Sequence, residues 1–310
     1  MNARFFASIA ALAFGLPPDV SAQPSQCRVH ASGSFGGSSL KLVSDHSNSA
    51  SPRFVVFKAP MAVNTDGAPT SYHPQDFLGK ERAINRLDNG IAIRTLVGAR
   101  PDVATQAMVV RDWQKAKWMV PSGYRITWQN VIASRADGKP CVFVEGENAG
   151  FFGSLTSLKN GLPANEAGEC GVNNQVDQRF IPTIALRGGA SNPMTGWGAK
   201  VGDLVLAVNP QTGASVAGVI GDSGNGNRIG EGSVAMNMAL SGKTIQPRNY
   251  AETLSLDLST SISVAVLPKS ILYKRERPYT AQNLTARVQN WATENFGSLD
   301  AFKTLLTNCI

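Results

Sequence analysis

The stretch Leu204-Val205-Leu206-Ala207-Val208-Asn209-Pro210-Gln211-Thr212-Gly213-Ala214-Ser215-Val216-Ala217-Gly218-Val219-Ile220 reads as two apolar strands joined by a turn of Asn, Pro and Gly. The second strand runs straight into Gly221-Asp222-Ser223-Gly224-Asn225-Gly226-Asn227-Arg228-Ile229-Gly230-Glu231-Gly232, and Ser233 then caps a short helix through Leu240. A hairpin, a glycine-rich loop and a capped helix in direct succession make this the best-defined unit of the chain.

The same β signal recurs outward from it, at Phe54–Phe57, Ala92–Arg94, Val131–Ala133, Cys141–Val144, Ile181–Leu186, Leu254–Leu258 and Ile262–Leu267. Ala136-Asp137-Gly138-Lys139-Pro140 between two of these runs has the composition of a hairpin turn. Near the C-terminus Thr280 is suited to cap a helix carrying Leu284, Val288 and Trp291 on one face, with Gly297 as its stop. Ser298 begins a second helix bearing Leu299, Phe302 and Leu306. Many short strands with Gly and Pro turns favour a barrel or sandwich over a doubly wound sheet. With no internal repeat, one β-rich domain with helices added is expected.

Composition agrees. Of 310 residues 43% are hydrophobic and only 16% charged, with 30 Gly and 17 Pro, which excludes a disordered chain and a coiled coil. Residues 1–22, with Arg4 before the apolar run Phe5–Leu16 and a Val20-Ser21-Ala22 exit, read as a secretory signal peptide. That run is too short to span a bilayer, which takes about 20 residues, so an exported, soluble protein with no membrane partner is expected. Residues 23–52 are rich in Ser, Gly and Asn and read as a loose arm with at most one short strand near Leu40–Val43. Residues 53–310 then form the catalytic domain.

Cys27, Cys141, Cys170 and Cys309 contain no C-x-x-C pair. For an exported chain the even count suggests two disulfides in one of three connectivities, Cys141 with Cys170 and Cys27 with Cys309 being the expected one. Buried free thiols are the alternative. His30, His46 and His73 are scattered without ligand spacing, so no metal and no cofactor are expected.

The loop after the hairpin carries the chemistry. Asp222 ends an apolar strand, where burial raises a carboxyl pKa, and Glu231 precedes a helix start, where the dipole favours the charged form. Two acids in opposed environments are what general acid and base catalysis requires. The bland reading makes Asp222 a turn former and Glu231 an exposed capping acid. Gly-Asp-Ser-Gly also surrounds the serine of trypsin-like proteases, but no histidine here has that family's Ala-Ala-His-Cys setting and Asn225 replaces its second glycine. A dinucleotide loop fails because Ile229 stands where its last glycine belongs, and no P-loop lysine follows.

Asp66-Gly67-Ala68-Pro69 with Tyr72 and His73 can hold a polar ligand, or form a tight turn with a packed ring. Trp113, Trp118, Trp128 and Trp197 are expected mainly in the core, with one or two at most in a groove. The basic residues Lys269, Lys274, Arg275 and Arg277 are interrupted by Glu276 and read as a solvated face, so no nucleic acid is expected.

Taken together, Asp66-Gly67-Ala68-Pro69, Tyr72-His73-Pro74, Phe152-Gly153-Ser154-Leu155-Thr156-Ser157, Asp177 with Ile181-Pro182, Gly202-Asp203, Gly221-Asp222 and Ile229-Gly230-Glu231-Gly232-Ser233 resemble glycoside hydrolase family 75, the fungal-type chitosanases. The resemblance runs in order from about Phe54 to Leu240. It implies a secreted, endo-acting hydrolase of chitosan, the β-1,4-glucosamine polymer, inverting the anomeric centre with an Asp and a Glu that match Asp222 and Glu231. The strand-end and helix-start settings assign Asp222 as acid and Glu231 as base, and the exchanged assignment stays open. Asp66, Tyr72, His73 and Asp177 are then the candidates for holding the sugar. The hairpin, loop and helix also resemble the double-psi β-barrel core of expansins, family 45 endoglucanases and rare lipoprotein A. The expected fold is therefore mainly β, a six-stranded double-psi β-barrel-like core with added strands and C-terminal helices, acting as a monomer. The alternatives are a non-catalytic barrel that binds wall polysaccharide and a peptidoglycan-cleaving hydrolase or transglycosylase.

The net charge of +7 at first suggests an anionic partner. Between Val201 and Leu240, however, the charged residues are Asp203, Asp222, Arg228 and Glu231, so the basic excess lies elsewhere. The bulk charge is a poor guide to the substrate.

Overall fold

Ten strands carry the fold in the computed structural model, which describes residues 26–128 and 130–310. They are β1 (Cys27–Phe35), β2 (Ser38–Asp45), β3 (Phe54–Asn64), β4 (Ala92–Thr95), β5 (Tyr124–Thr127), β6 (Thr183–Arg187), β7 (Leu204–Val208), β8 (Ser215–Gly224), β9 (Glu231–Ser233) and β10 (Leu258–Leu267). The signal-peptide reading of residues 1–22 lies outside the described residues.

The strands β3, β10, β7, β8, β6 and β9 neighbour one another in that order, and β9 pairs back onto β3, which closes a six-stranded barrel. Pairing is mixed: β3 with β9 and β6 with β8 are parallel, and the other junctions are antiparallel. The hairpin read at Asn209 is β7–β8, in register from Leu204 opposite Val219 to Val208 opposite Ser215. Two extra strands, β1 and β2, lie outside the ring, and β4 pairs with β5 in a separate small sheet.

Alternation along the strands divides the core. Leu204 and Leu206 of β7, with Ala265 and Leu267 of β10, pack under the C-terminal helices against Leu284, Val288, Trp291, Phe302 and Leu306. Val205 and Ala207, with Val264 and Val266, form a second cluster with Phe57, Ile220, Met236 and Leu240. The C-terminal helices Ala281–Phe296 and Leu299–Cys309 are capped by Thr280 and Ser298 as expected, and Gly297 ends the first in a left-handed conformation. A satellite core of Tyr72, Phe77, Val109, Val110, Trp113, Ile126, Trp128 and Phe152 holds the long excursion between β3 and β6.

Four local expectations are corrected. Residues 27–45 form the hairpin β1–β2 rather than a loose arm, and Leu40–Val43 pairs with Phe54–Phe57 of β3. Ser and Gly suit β1 because it is an outer, largely exposed strand, and Gly36 and Gly37 both take positive φ at the turn. Leu254–Leu258 is not a strand: Asn249 caps a short helix Tyr250–Leu254, and β10 begins only at Leu258. Val131–Ala133 and Cys141–Val144 contribute single bridges, at Ile132–Ser154 and Val142–Phe152, rather than strands. The helix Val103–Lys115, capped by Asp102, was not anticipated; it buries Val109, Val110 and Trp113.

The expected disulfides are present, Cys27–Cys309 and Cys141–Cys170, with Cα separations of 5.1 and 6.3 Å, and no described cysteine is free. No helix among the described residues is long and apolar enough to cross a membrane.

Candidate active site

The site gathers at the ends of β3, β8 and β9. Asp222 lies near the end of β8, paired with Ala185 of β6, where the register shifts between Ile184 and Ala185. A bulge of this kind re-aims side chains beside a site. Asp222 is buried and is bonded from both sides. Its Oδ1 accepts from the Ser157 hydroxyl at 2.8 Å, the Ser157 N–H at 3.2 Å and the Ser223 N–H at 2.8 Å, while Asn64 Nδ2 donates to Oδ2 at 3.3 Å.

Glu231 opens β9 and pairs with Ala62 of β3. Gly230 before it holds φ +86°, and a Cβ there would collide with the Pro60 carbonyl, so the approach to Glu231 requires glycine. Ser233 ends β9, accepts from the Met236 N–H at 3.0 Å and so starts the helix Val234–Ser241. Arg187, the last residue of β6, clamps Glu231 with Nε on Oε2 at 2.5 Å and Nη2 on Oε1 at 2.6 Å. Burial works to lower the Arg187 pKa, but the hydrogen bond and charge of Glu231 outweigh it and the net direction is up.

Asp66 follows β3. The Tyr72 hydroxyl donates to its Oδ1 at 2.6 Å, and Asn85 Nδ2 donates to the Tyr72 oxygen at 3.1 Å. Burial, then the negative charge of Asp222, pushes the Asp66 carboxyl up to about 7; the Tyr72 hydrogen bond opposes this, Glu231 adds to it and Arg187 counters it. Burial likewise raises the Tyr72 hydroxyl well above its ordinary value, with the Asp66 charge adding to the effect. Lys159 completes the group. Burial lowers its pKa while the Asp222 charge works against that, and its ammonium donates to Thr156 O at 2.7 Å and Gln175 Oε1 at 2.6 Å.

A cleft of about 360 Å³ opens on this cluster, lined among others by Asn64, Asp66, Tyr72, Arg187, Glu231 and Asp257. Beyond Arg187 and Glu231 it meets a second concavity of about 560 Å³ walled by Asn227, Arg228 and Gly36. At the other end Asn89 is shared with a third hollow beside Trp128 and Asn130. Asp66 and Glu231 thus sit along a groove rather than in a closed pocket.

Of the six residues singled out from the sequence, Asp66, Tyr72, Asp222 and Glu231 come together. The other two do not line the cleft. His73 is buried edge-on to Phe151, ring centroids 4.8 Å apart, and its Nδ1 accepts from the Gln75 N–H. Its pKa is lowered by burial and then by Arg82, so its charged neighbours belong to another loop. Asp177 is paired with its own neighbour Arg179, Nη2 to Oδ2 at 2.8 Å. Trp113 is core packing with Trp118 against it, and Trp128, buried in the same cluster, also edges the outer hollow.

Among the residues of this cluster that sequence reading missed, Arg187 is the one bonded to Glu231. The only signal was position: a single cation closing an apolar strand, just before Gly188-Gly189. As to metals, the one compact set of ligand-type residues among those described is Cys141, Glu169 and Cys170, whose sulfurs are joined in a disulfide. No family model matches the chain, and no curated protein matches it.

Proposed function

We propose that this chain is a secreted, endo-acting glycoside hydrolase that cleaves chitosan with inversion, in the manner of the family 75 chitosanases it resembles, on a double-psi-like barrel. The observation that carries this reading is the placement of Asp66 and Glu231 on an open groove with Asp222 close behind them, one carboxyl being poised to hold a proton near neutrality. Glycoside hydrolysis needs one proton-bearing carboxyl and one carboxylate. Glu231, held in a bidentate ion pair, is the base that activates water. Asp222 belongs to the acid side of the site.

The cleft wall carries Asp66, Glu231 and Asp257 against Arg187, which favours a cationic sugar such as glucosamine. Past Glu231 the groove is lined instead by Arg187 and Arg228, and this half favours the second reading, a peptidoglycan-cleaving hydrolase or transglycosylase. Reducing ends released from chitosan and from peptidoglycan by wild type, Asp222→Asn and Glu231→Gln test both. Cleavage lost in Glu231→Gln supports the hydrolase. Binding of polymer with no cleavage by wild type makes the chain a wall-binding barrel instead.

A further inference from the structure

Asp66 meets the cleft and Asp222 does not. Asp66 lines it together with Tyr72, Arg187 and Glu231, while Asp222 lies behind the wall with both oxygens occupied by Ser157, Ser223 and Asn64. We propose that Asp66, anchored by Tyr72, is the proton donor of this site, and that Asp222 is a positioning residue that acts through Asp66. The inference rests on the hydrolase reading above and changes which carboxyl delivers the proton.

A general acid must reach the leaving oxygen and hold its proton until the bond breaks. Tyr72 occupies Oδ1 of Asp66, and among the described residues no side-chain or backbone donor is bonded to Oδ2, the oxygen left to face a ligand. The loop is fixed from behind. Asn64 Oδ1 accepts from the Asp66 N–H at 2.8 Å, while its Nδ2 holds Asp222. One asparagine therefore ties the two acids into a single unit.

The titratable and charged groups acting on Asp66 are Asp222 from β8, Glu231 from β9, Arg187 from β6 and Tyr72 from its own loop. Burial is the largest cause of the raised Asp66 pKa, and among the neighbouring charges Asp222 acts more strongly than Glu231, so Asp222 helps to keep the proton on Asp66. Glu231 lines the cleft, oriented by its ion pair with Arg187, and serves as the base. In the step itself the Asp66 proton passes to the glycosidic oxygen as the C1–O bond breaks and the leaving sugar keeps the electron pair. Water attacks C1 and gives its proton to the Glu231 carboxylate. Exchange with solvent then returns both groups to their starting states.

The test compares the polysaccharide with an oligosaccharyl fluoride, whose fluoride departs without a proton, in wild type, Asp66→Asn and Asp222→Asn. Asp66→Asn is expected to lose about 10²–10⁴-fold in kcat on the polysaccharide and less than about tenfold on the fluoride. Asp222→Asn is expected to keep measurable polysaccharide cleavage, with the alkaline limb of its kcat/KM profile moved to lower pH. Tyr72→Phe moves that limb upward, because the lost hydrogen bond was holding the Asp66 pKa down. The proposal is overturned if fluoride rescue belongs to Asp222→Asn, or if Asp66→Asn loses both substrates equally with an unshifted limb. A wild type that cleaves no polysaccharide removes the hydrolase reading itself, and the proton donor with it. A wild type that cleaves beside a fully active Asp66→Asn removes only the assignment of Asp66.

Discussion

Arg187 and Glu231 form a two-point ion pair across neighbouring strands, β6 and β9, with both guanidinium bonds at 2.6 Å or less. The pair fixes where Glu231 points within the groove. Bidentate geometry of this kind adds direction as well as energy.

Replacing Arg187 therefore costs orientation more than fold. Arg187→Ala is expected to reduce kcat by about 10–100-fold, since misplacing a reacting group by an ångström costs about 10²-fold. Arg187→Lys restores only part of this, because an ammonium is a point charge that cannot match both carboxylate oxygens. Steady-state kinetics on the cleaved polysaccharide check both, and an Arg187→Ala with wild-type kcat contradicts the role.

The pH dependence has a definite sign. The Asp66 carboxyl is raised from 3.8 to about 7 in the folded protein, so between those values the folded chain binds a proton that the unfolded chain has released. Its contribution to stability is complete below about 4 and is lost as pH rises to about 7. Chemical denaturation of wild type and Asp66→Asn across this range is expected to show a flatter pH profile for the variant.

Asp76 has the opposite sign. Burial pushes its carboxyl up, but the backbone N–H groups of Lys80, Glu81, Arg82 and Ala83, at 2.8 to 3.0 Å, outweigh this and hold its pKa down. This stabilisation is present above the ordinary carboxyl pKa and disappears as pH falls through the lower folded value. Asp76→Ala leaves these N–H groups without their acceptor and is expected to cost about 2–4 kcal/mol. Urea denaturation at neutral pH measures it.

The two disulfides differ in the length of chain they close, with sequence separations of 282 and 29. In the chain-entropy picture the longer loop is worth about 5.6 kcal/mol and the shorter about 3.6. Cys27→Ser with Cys309→Ser is accordingly expected to lower Tm more than Cys141→Ser with Cys170→Ser. Thermal denaturation of the two double variants ranks them, and the reverse order contradicts the expectation.

Most of the barrel was legible because its strands alternate or run apolar for five residues or more, and because caps such as Ser233, Thr280 and Ser298 mark where helices start. What could not be read were elements whose stability comes from elsewhere. β1 has few buried residues and owes its place to pairing with β2, so its Ser and Gly look like a linker. Val131–Ala133 and Cys141–Val144 have β composition yet obtain only single bridges, since the satellite core around Trp113 and Phe152 sets their path.

Within the site, Asp222 and Glu231 stood out because they share one loop. Arg187, Asn64 and Ser157 complete the arrangement from 44, 158 and 65 residues away in sequence, distances at which no local pattern announces a contact. His73 illustrates the converse: its neighbour Tyr72 faces Asp66, while its own ring turns to Phe151.

The hairpin β1–β2 reaches the groove at its tip, where a Cβ on Gly36 would strike the backbone of Asn227, Arg228 and Ile229, in the loop between Asp222 and Glu231. One wall of the groove is thus made by residues near the start of the described chain, and Cys27 at the base of that hairpin is bonded to Cys309 near the other end. A protease cut in the exposed segment His46–Ala50 would break the chain without releasing the hairpin, which stays tethered through its sulfur. Such a nicked protein runs as one band until it is reduced, and only on reduction can the groove lose its wall.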